Sequence, residues 1–316
     1  MTKYIIKRVG MMFLTLFIII SIAFFVLRLM PGSPYSDEVN LSPEAIAALE
    51  AKQHLDKPLI VQYAYFMKGV LLENNWGVSI TMRPGMNCFD IIKERIPTTL
   101  ALNVMSLLIS IPLGIIAGTV AAVFKTKMPD NVISFLVVIC ISVPSFVFAS
   151  LLQYFLAGAN GWFPIIYNAT GSVKERMFSM ILPVLALSFS PIATVCRYLR
   201  GELIETMSSE YMLLARTKGL KNYQAIIRHA FRNSMVLLAN VIIPMFTRIM
   251  GGSMVVEGLF SVPGIGGIMV DSITARDYTL TIAALLFYSF ISVATILIVD
   301  ISYGIIDPRI RLEAKN

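Results

Sequence analysis

The sequence predicts an all-α integral membrane protein of six transmembrane helices, with both termini cytoplasmic and an ordered extracytoplasmic segment between the first two helices. Three observations carry this expectation. Charged residues form 14% of the 316 positions, against roughly 25% in ordinary soluble domains. Apolar residues reach 57% and mean hydropathy is +0.76, so a water-soluble fold of this length would lack the polar surface to cover its core. The apolar excess is also grouped. Runs at 9–30, 98–124, 132–157, 180–199, 234–256 and 279–303 are each long enough to cross about 30 Å of hydrocarbon.

The first run follows Lys3, Lys7 and Arg8, as a signal peptide would. It is too long for the apolar stretch of such a peptide and no small-residue cleavage site closes it, so it reads as a retained span. Orientation follows from the basic residues. With the N-terminus inside, the cytoplasmic segments carry Lys3, Lys7, Arg8, Lys125, Lys127, Arg200, Arg216, Lys218, Lys221, Arg228, Arg232, Arg309, Arg311 and Lys315. The two short outer loops hold only Lys174, Arg176 and Arg276, the asymmetry expected of a protein whose termini both face the cytoplasm. The net charge of +7 therefore reports topology. Too little polar surface remains for a nucleic-acid footprint.

The chain divides into the N-terminus and first span (1–30), an outer helical segment (31–97), a core of five spans (98–303) with a cytoplasmic loop at 200–233, and a tail (304–316). In the outer segment, Ser42, Pro43 and Glu44 open a helical pattern that runs to Leu55, as N-cap, first helical residue and dipole partner. Asp56-Lys57-Pro58 ends it, and a second amphipathic stretch runs from Leu59 to about Leu72 before Asn74-Asn75-Trp76-Gly77 turns the chain.

Pro112, Pro144, Pro191 and Pro244 lie inside the second to fifth runs. A mid-span proline frees a carbonyl and kinks the helix, which suits a pathway that opens and closes; prolines are also simply frequent in membrane helices. Gly114 and Gly118 stand four apart, the spacing that lets a second helix approach closely. Arg248 lies well inside the fifth run, where an unpaired charge costs at least about 2.5 kcal/mol. It is expected to line a water-filled pathway or to pair with a neighbouring helix or subunit. The cysteines Cys88, Cys140 and Cys196 and the histidines His54 and His229 form no CxxC or Cys/His cluster, so neither a disulfide framework nor a metal site is expected.

The most informative polar stretch runs from Ser208 to Lys221. Ser208 is expected to cap a short helix, Glu210 to complement its dipole, Gly219 to end it in a left-handed conformation and Leu220 to fold back onto it. Asn222 is expected to cap the next helix. A helix of about three turns is marginal alone in water. With Tyr211, Leu214 and Ala215 along one side, it needs a membrane surface or a partner protein to dock on.

This stretch resembles the cytoplasmic loop of binding-protein-dependent ABC importer permeases, whose pattern is Glu-Ala-Ala, three residues, then Gly. Ala215 and Gly219 match the spacing, while Leu213 and Leu214 occupy the Glu and first Ala positions. The departures are similar to the dipeptide/oligopeptide branch, as are Glu210-Tyr211, Ala215-Arg216-Thr217-Lys218-Gly219-Leu220 and Arg228-His229-Ala230-Phe231-Arg232-Asn233. Further matches follow in order: Pro31-Gly32-Ser33-Pro34, Leu55-Asp56-Lys57-Pro58, Trp76-Gly77-Val78-Ser79, Arg95-Ile96-Pro97-Thr98-Thr99-Leu100, Glu257 to Gly267, Arg276-Asp277-Tyr278, Val299-Asp300 and Asp307-Pro308-Arg309-Ile310-Arg311. The long segment 31–97 resembles the B-type subunit more than its C-type partner.

The resemblance implies a type I ABC importer permease fold in a prokaryotic cell membrane, paired with a second, C-type permease subunit. It also implies two cytoplasmic ABC ATPase subunits, which would bind ATP and Mg, and an extracytoplasmic peptide-binding protein. This chain has no GxxxxGK[ST] loop, so no cofactor and no catalysis are expected on it. Glu210, Tyr211, Ala215, Lys218 and Gly219 are the expected ATPase contacts, with Ala215 as a close-approach surface. Trp76, Glu257, Phe260 and Asp277 are expected at the binding-protein contact or outer gate. Importers of nickel, glutathione or other small solutes share the architecture. From other classes, a secondary transporter or channel would also have six spans but would need no docking helix. An intramembrane enzyme would need a second intramembrane acid beside Asp300 or a Ser/His or His/Glu set.

Overall fold

The computed structural model describes residues 2–29, 44, 47, 50, 51, 54–73, 75–247 and 253–306. Five helices among these are long and apolar enough to cross a bilayer, and one bent pair makes a sixth if it counts as a single span. They are α1 (Thr2–Arg28), α3 (Cys88–Val123), the bent pair α4 (Met128–Ser142) and α5 (Ser145–Leu152), α7 (Ile181–Met207), the helix completed by α10 (Arg232–Thr247), and α13 (Tyr278–Ile306). Shorter helices lie between them: α2 (Leu59–Leu72), α6 (Val173–Ser179), α8 (Glu210–Thr217), α9 (Asn222–Ala225), α11 (Met254–Leu259) and α12 (Ile265–Thr274). Two π-helical stretches, Gln153–Ala159 and Ile226–Phe231, continue α5 and join α9 to α10.

Several expected boundaries shift. Helix α3 begins ten residues before its apolar run, at Cys88, where Lys93, Glu94 and Arg95 are good helix formers and Cys88, Ile91 and Ile92 are buried. Pro144 does more than kink the third span. It is the N-cap of α5, and α4 and α5 meet at 102°. Pro191 and Pro244 lie inside continuous helices. The fifth run does not form one helix to 256, since a separate helix starts at Met254. Arg248, Ser42 and Pro43 lie outside the described residues, while α2 forms over the expected stretch.

The chain forms two compact units, one of Met1–Pro97, Gly264–Ile301 and Arg309–Asn316, the other of Thr98–Pro263 and Ser302–Pro308. In the first, α2 packs on the C-terminal half of α1. Phe24 stacks on Phe66 with ring centroids 5.1 Å apart, Phe25 on Tyr63 at 5.1 Å, and the Ser21 hydroxyl meets Tyr63 Oη at 2.6 Å. Helix α13 joins the same cluster through Tyr278, Ile282 and Leu286. The Gln62 amide reaches back from α2 to donate to the carbonyls of Leu55 and Lys57 at 3.1 and 2.8 Å.

In the second unit α7 is the shared partner, with α4, α5, α6, α10 and α11 all packed on it. Its seam with α3 is made of small residues four apart. Ser106 Oγ meets Ser188 Oγ at 3.2 Å, and Ser110 Oγ donates to the carbonyls of Ser106 and Ser188 at 2.6 and 3.2 Å. One and two turns further, Gly114 and Gly118 let the backbones meet. A Cβ on Gly114 would stand 2.7 Å from Val195 Cβ and 2.9 Å from the Ile192 carbonyl oxygen, and one on Gly118 would stand 2.8 Å from the Cys196 carbonyl oxygen. Close approach is what holds helices together where lipid removes the hydrophobic drive.

Gly118→Ala is therefore expected to cost about 1–3 kcal/mol through overpacking against backbone that cannot yield. It should lower the thermal unfolding midpoint in detergent, whereas Gly201→Ala, where nothing lies within 4 Å, should leave it unchanged or raised.

Candidate functional site

Helix α7 passes into α8 through a two-residue elbow. Ser208 and Ser209 donate their backbone N–H groups to the carbonyls of Glu205 and Thr206, each at 3.1 Å, and the Ser209 hydroxyl donates to Thr206 O at 2.6 Å. Ser208 is thus the C-cap of α7, and Ser209 stands at the N-cap of α8. The expected role of Ser208 moves by one residue, because its hydroxyl turns back to the carbonyls of Ile204 and Glu205. Glu210 opens α8 and is exposed, in place to favour the helix dipole.

The end of α8 is a Schellman motif. Gly219 has φ +87°; its N–H donates to Arg216 O at 3.0 Å and the Leu220 N–H to Ala215 O at 3.3 Å, the two bonds that satisfy the last carbonyls. Leu220 then packs back among the residues under the helix, as expected. The cap of α9 falls on Lys221, whose N–H donates to Gln224 Oε1 at 3.1 Å. Asn222 is the first helical residue rather than the cap.

Helix α8 docks on its own chain. Met212 is fully buried and Ala215 is 7% exposed, in a cluster with Leu199, Leu203, Ala225, Ile226, Ala230 and Leu238. Ala215 therefore packs inward, which corrects its expected place on a partner-facing surface. The outward side carries Leu213 and Leu214, 63% and 55% exposed, with Glu210, Tyr211, Arg216, Lys218 and Gly219 also exposed. Tyr211 Oη accepts from Asn233 Nδ2 at 3.2 Å, which steadies the ring against the following helix. Tyr223 and Ile227, just beyond α8, are exposed as well. Leu214 was expected on the docking side, whereas Leu213 and Tyr223 were not. On so short a helix with apolar residues on most sides, only the docked partner face decides which ones remain outside.

The four residues expected at the outer contact separate in the structure. Trp76 is half-buried, with its ring 5.2 Å from Phe89. Glu257, Phe260 and Asp277 are fully buried, which corrects their assignment as contact residues for a second protein. In the second unit, Glu257 Oε1 accepts from Thr99 Oγ1 at 3.1 Å and from the Ser253 N–H at 3.3 Å. Phe260 sits in the core beside Leu102, Leu182 and Val256, and its carbonyl accepts from the Tyr167 N–H at 2.8 Å.

Asp277, in the first unit, joins three pieces of chain. Its N–H donates to Ser272 O at 2.8 Å, closing α12, and its Oδ1 accepts from the Leu280 N–H at 3.2 Å, capping α13. Its Oδ2 accepts from the Ser79 hydroxyl at 2.5 Å and from the N–H groups of Ile80, Thr81 and Met82, each at 3.1 Å. Backbone amides so converged make an anion-binding concavity, here filled by the chain's own carboxylate.

The long apolar helices and the broken span are those of a multi-pass membrane protein, and the family match gives the transport class. The chain belongs to the binding-protein-dependent transport system inner membrane component family, whose pattern matches residues 93–312. The N-terminal pattern of the same membrane components matches residues 1–103. Over 314 residues, 99% of this chain and 100% of the relative, it is 39% identical to the dipeptide transport system permease protein DppB of Lactococcus lactis subsp. cremoris. It is 32% identical to DppB of Bacillus subtilis over 316 residues, 100% of both chains. It is 35% identical to the oligopeptide transport system permease protein OppB of Haemophilus influenzae over 311 residues, 98% of this chain and 100% of that one. The chain is thus a multi-pass inner-membrane component of a transport system that depends on a binding protein.

Gly219→Val is expected to strain the end of α8, because a left-handed residue with a side chain costs about 1–2 kcal/mol. Amide hydrogen exchange at Gly219 and Leu220, the donors of the Schellman bonds, should quicken in the variant, while α3 and α7 keep their protection.

Proposed function

We propose that this chain is the B-type permease subunit of an ATP-driven importer of dipeptides or oligopeptides. It would form half of the translocation pathway beside a homologous C-type permease subunit. An extracytoplasmic peptide-binding protein would deliver the substrate, and two cytoplasmic ABC ATPase subunits would bind ATP and Mg and carry the hydrolysis. The near-complete alignment with DppB and OppB supports the substrate class.

The observation that carries the mechanism is the one-sided burial of α8. Met212 and Ala215 anchor the helix to α7 and α10, while Leu213 and Leu214 stay bare beside charged Glu210, Arg216 and Lys218. A short helix fixed on one side and apolar on the other is suited to receive a partner and to pass its movement inward. ATPase closure would shift α8, the tilt of α7 would follow, and the pathway would alternate between outward and inward access. Arg248 is placed by the same reading on the pathway or against a neighbouring helix, and Trp76 is the expected outer residue with surface left to offer.

Reconstitution tests the reading. Vesicles holding both permease subunits, the ATPases and the binding protein should accumulate labelled dipeptide or pentapeptide only with ATP. Leu213→Asp should cut ATPase retention about tenfold or more, the loss expected when a charge enters an apolar contact centre, without shifting the unfolding midpoint. Accumulation without ATPase, or of nickel or glutathione in place of peptide, would overturn it.

A further inference from the structure

At the same end of α7 as the elbow, Asp130 and Arg200 form a two-pronged ion pair. Arg200 Nε donates to Asp130 Oδ1 at 2.6 Å and Nη2 donates to Oδ2 at 2.8 Å. The carboxylate is buried, its side chain 3% exposed against 33% for the arginine. Its remaining capacity is taken by the turn that joins α3 to α4 and by α4 itself. The Thr126 N–H donates to Oδ2 at 2.8 Å and the Ser134 hydroxyl to Oδ1 at 3.2 Å. Thr126 is held at φ +64°, an uncommon conformation for a β-branched residue. One carboxylate therefore fastens the α3–α4 turn, the first turns of α4 and the cytoplasmic end of α7.

Burying such a pair is poor value as stabilisation, since an apolar replacement of similar volume is often as stable. What a planar, bidentate contact does supply is fixed geometry. Arg200 stands two turns before the end of α7, about 10 Å along the axis, and the elbow of Ser208 and Ser209 ties those turns to α8. A displacement of α8 that rotates α7 must then carry α4 and the α3–α4 turn with it.

We infer that Asp130 and Arg200 are positioning residues of the transport cycle: their ion pair is the clasp through which movement of the loop helix α8 is passed from α7 to the α3–α4 hairpin. This rests on the reading of α8 as the ATPase-docking helix. Without the clasp, α7 can turn without moving the hairpin, so ATP is spent without import.

The test compares the complete complex carrying Asp130→Asn with one carrying Arg200→Lys, each of which removes the two-pronged geometry by a different route. Labelled peptide imported per ATP hydrolysed is read in vesicles, and double electron–electron resonance distances are read between labels at Met128 and Thr217. The expected result is a fall of about fivefold or more in import per ATP, the scale of an ordinary coupling free energy. The label distance, constant through the wild-type ATP cycle, should become variable in the variants. Import and hydrolysis that fall in parallel, or an unchanged ratio in whichever variant folds, would overturn the clasp. A wild-type chain that retains no ATPase would remove the docking reading itself, and the clasp with it.

Discussion

Inside a bilayer, apolar side chains gain nothing by leaving lipid for one another, so helices hold together only where they meet closely or share polar contacts. In the second unit that condition is met along α7. Ser106, Ser110, Gly114 and Gly118 of α3 give it a face with almost no side-chain bulk, and the serine hydroxyls meet Ser188 across the seam. With α3 so close, the remaining surface of α7 is open to α4, α5, α10 and α11. The α8 cluster sits on the same helix, through Leu199 and Leu203. Structure and proposed action converge on this one helix, because a change at its cytoplasmic end has several packed neighbours to move.

Irregular backbone between apolar helices raises a second demand, since buried N–H and C=O groups must find partners. The chain meets it with a repeated device. Helices α8, α11 and α12 each end in the same pair of bonds, with Gly219, Ser261 and Arg276 in the left-handed conformation. Beyond the last of these, Asp277 accepts the loop amides of Ile80 to Met82 and caps α13. A carboxylate that caps one helix and holds a loop, on a residue whose own N–H closes another helix, has no oxygen left to offer a second protein.

These two facts mark what could be read from the sequence. Helix α2 and the left-handed end at Gly219 were legible because they rest on local patterns: apolar period, a preceding proline and a glycine after the last turn. That so short a helix needs a surface to pack on was legible for the same reason, although its own chain supplies that surface for Met212 and Ala215. Which of its sides faces inward was not, because Met212 and Ala215 are buried by Leu199, Ile226 and Leu238, residues distant in sequence. Glu257, Phe260 and Asp277 stand in polar or glycine-rich stretches that look exposed, yet their partners Thr99, Tyr167 and Ser79 come from other segments. The 102° break at Pro144 exceeds what a mid-run proline alone suggests. The Asp130–Arg200 pair joins residues 70 apart, with no local signal in either run.

The outward side of α8 is the proposed surface on which another subunit pushes. A photo-crosslinking residue at Leu214, activated in intact cells, tests this most directly. An ATP-sensitive adduct with a cytoplasmic ATPase subunit is expected, and none from the same residue placed at Lys125. Adducts from Leu214 to lipid alone, or to another part of this chain, would contradict it.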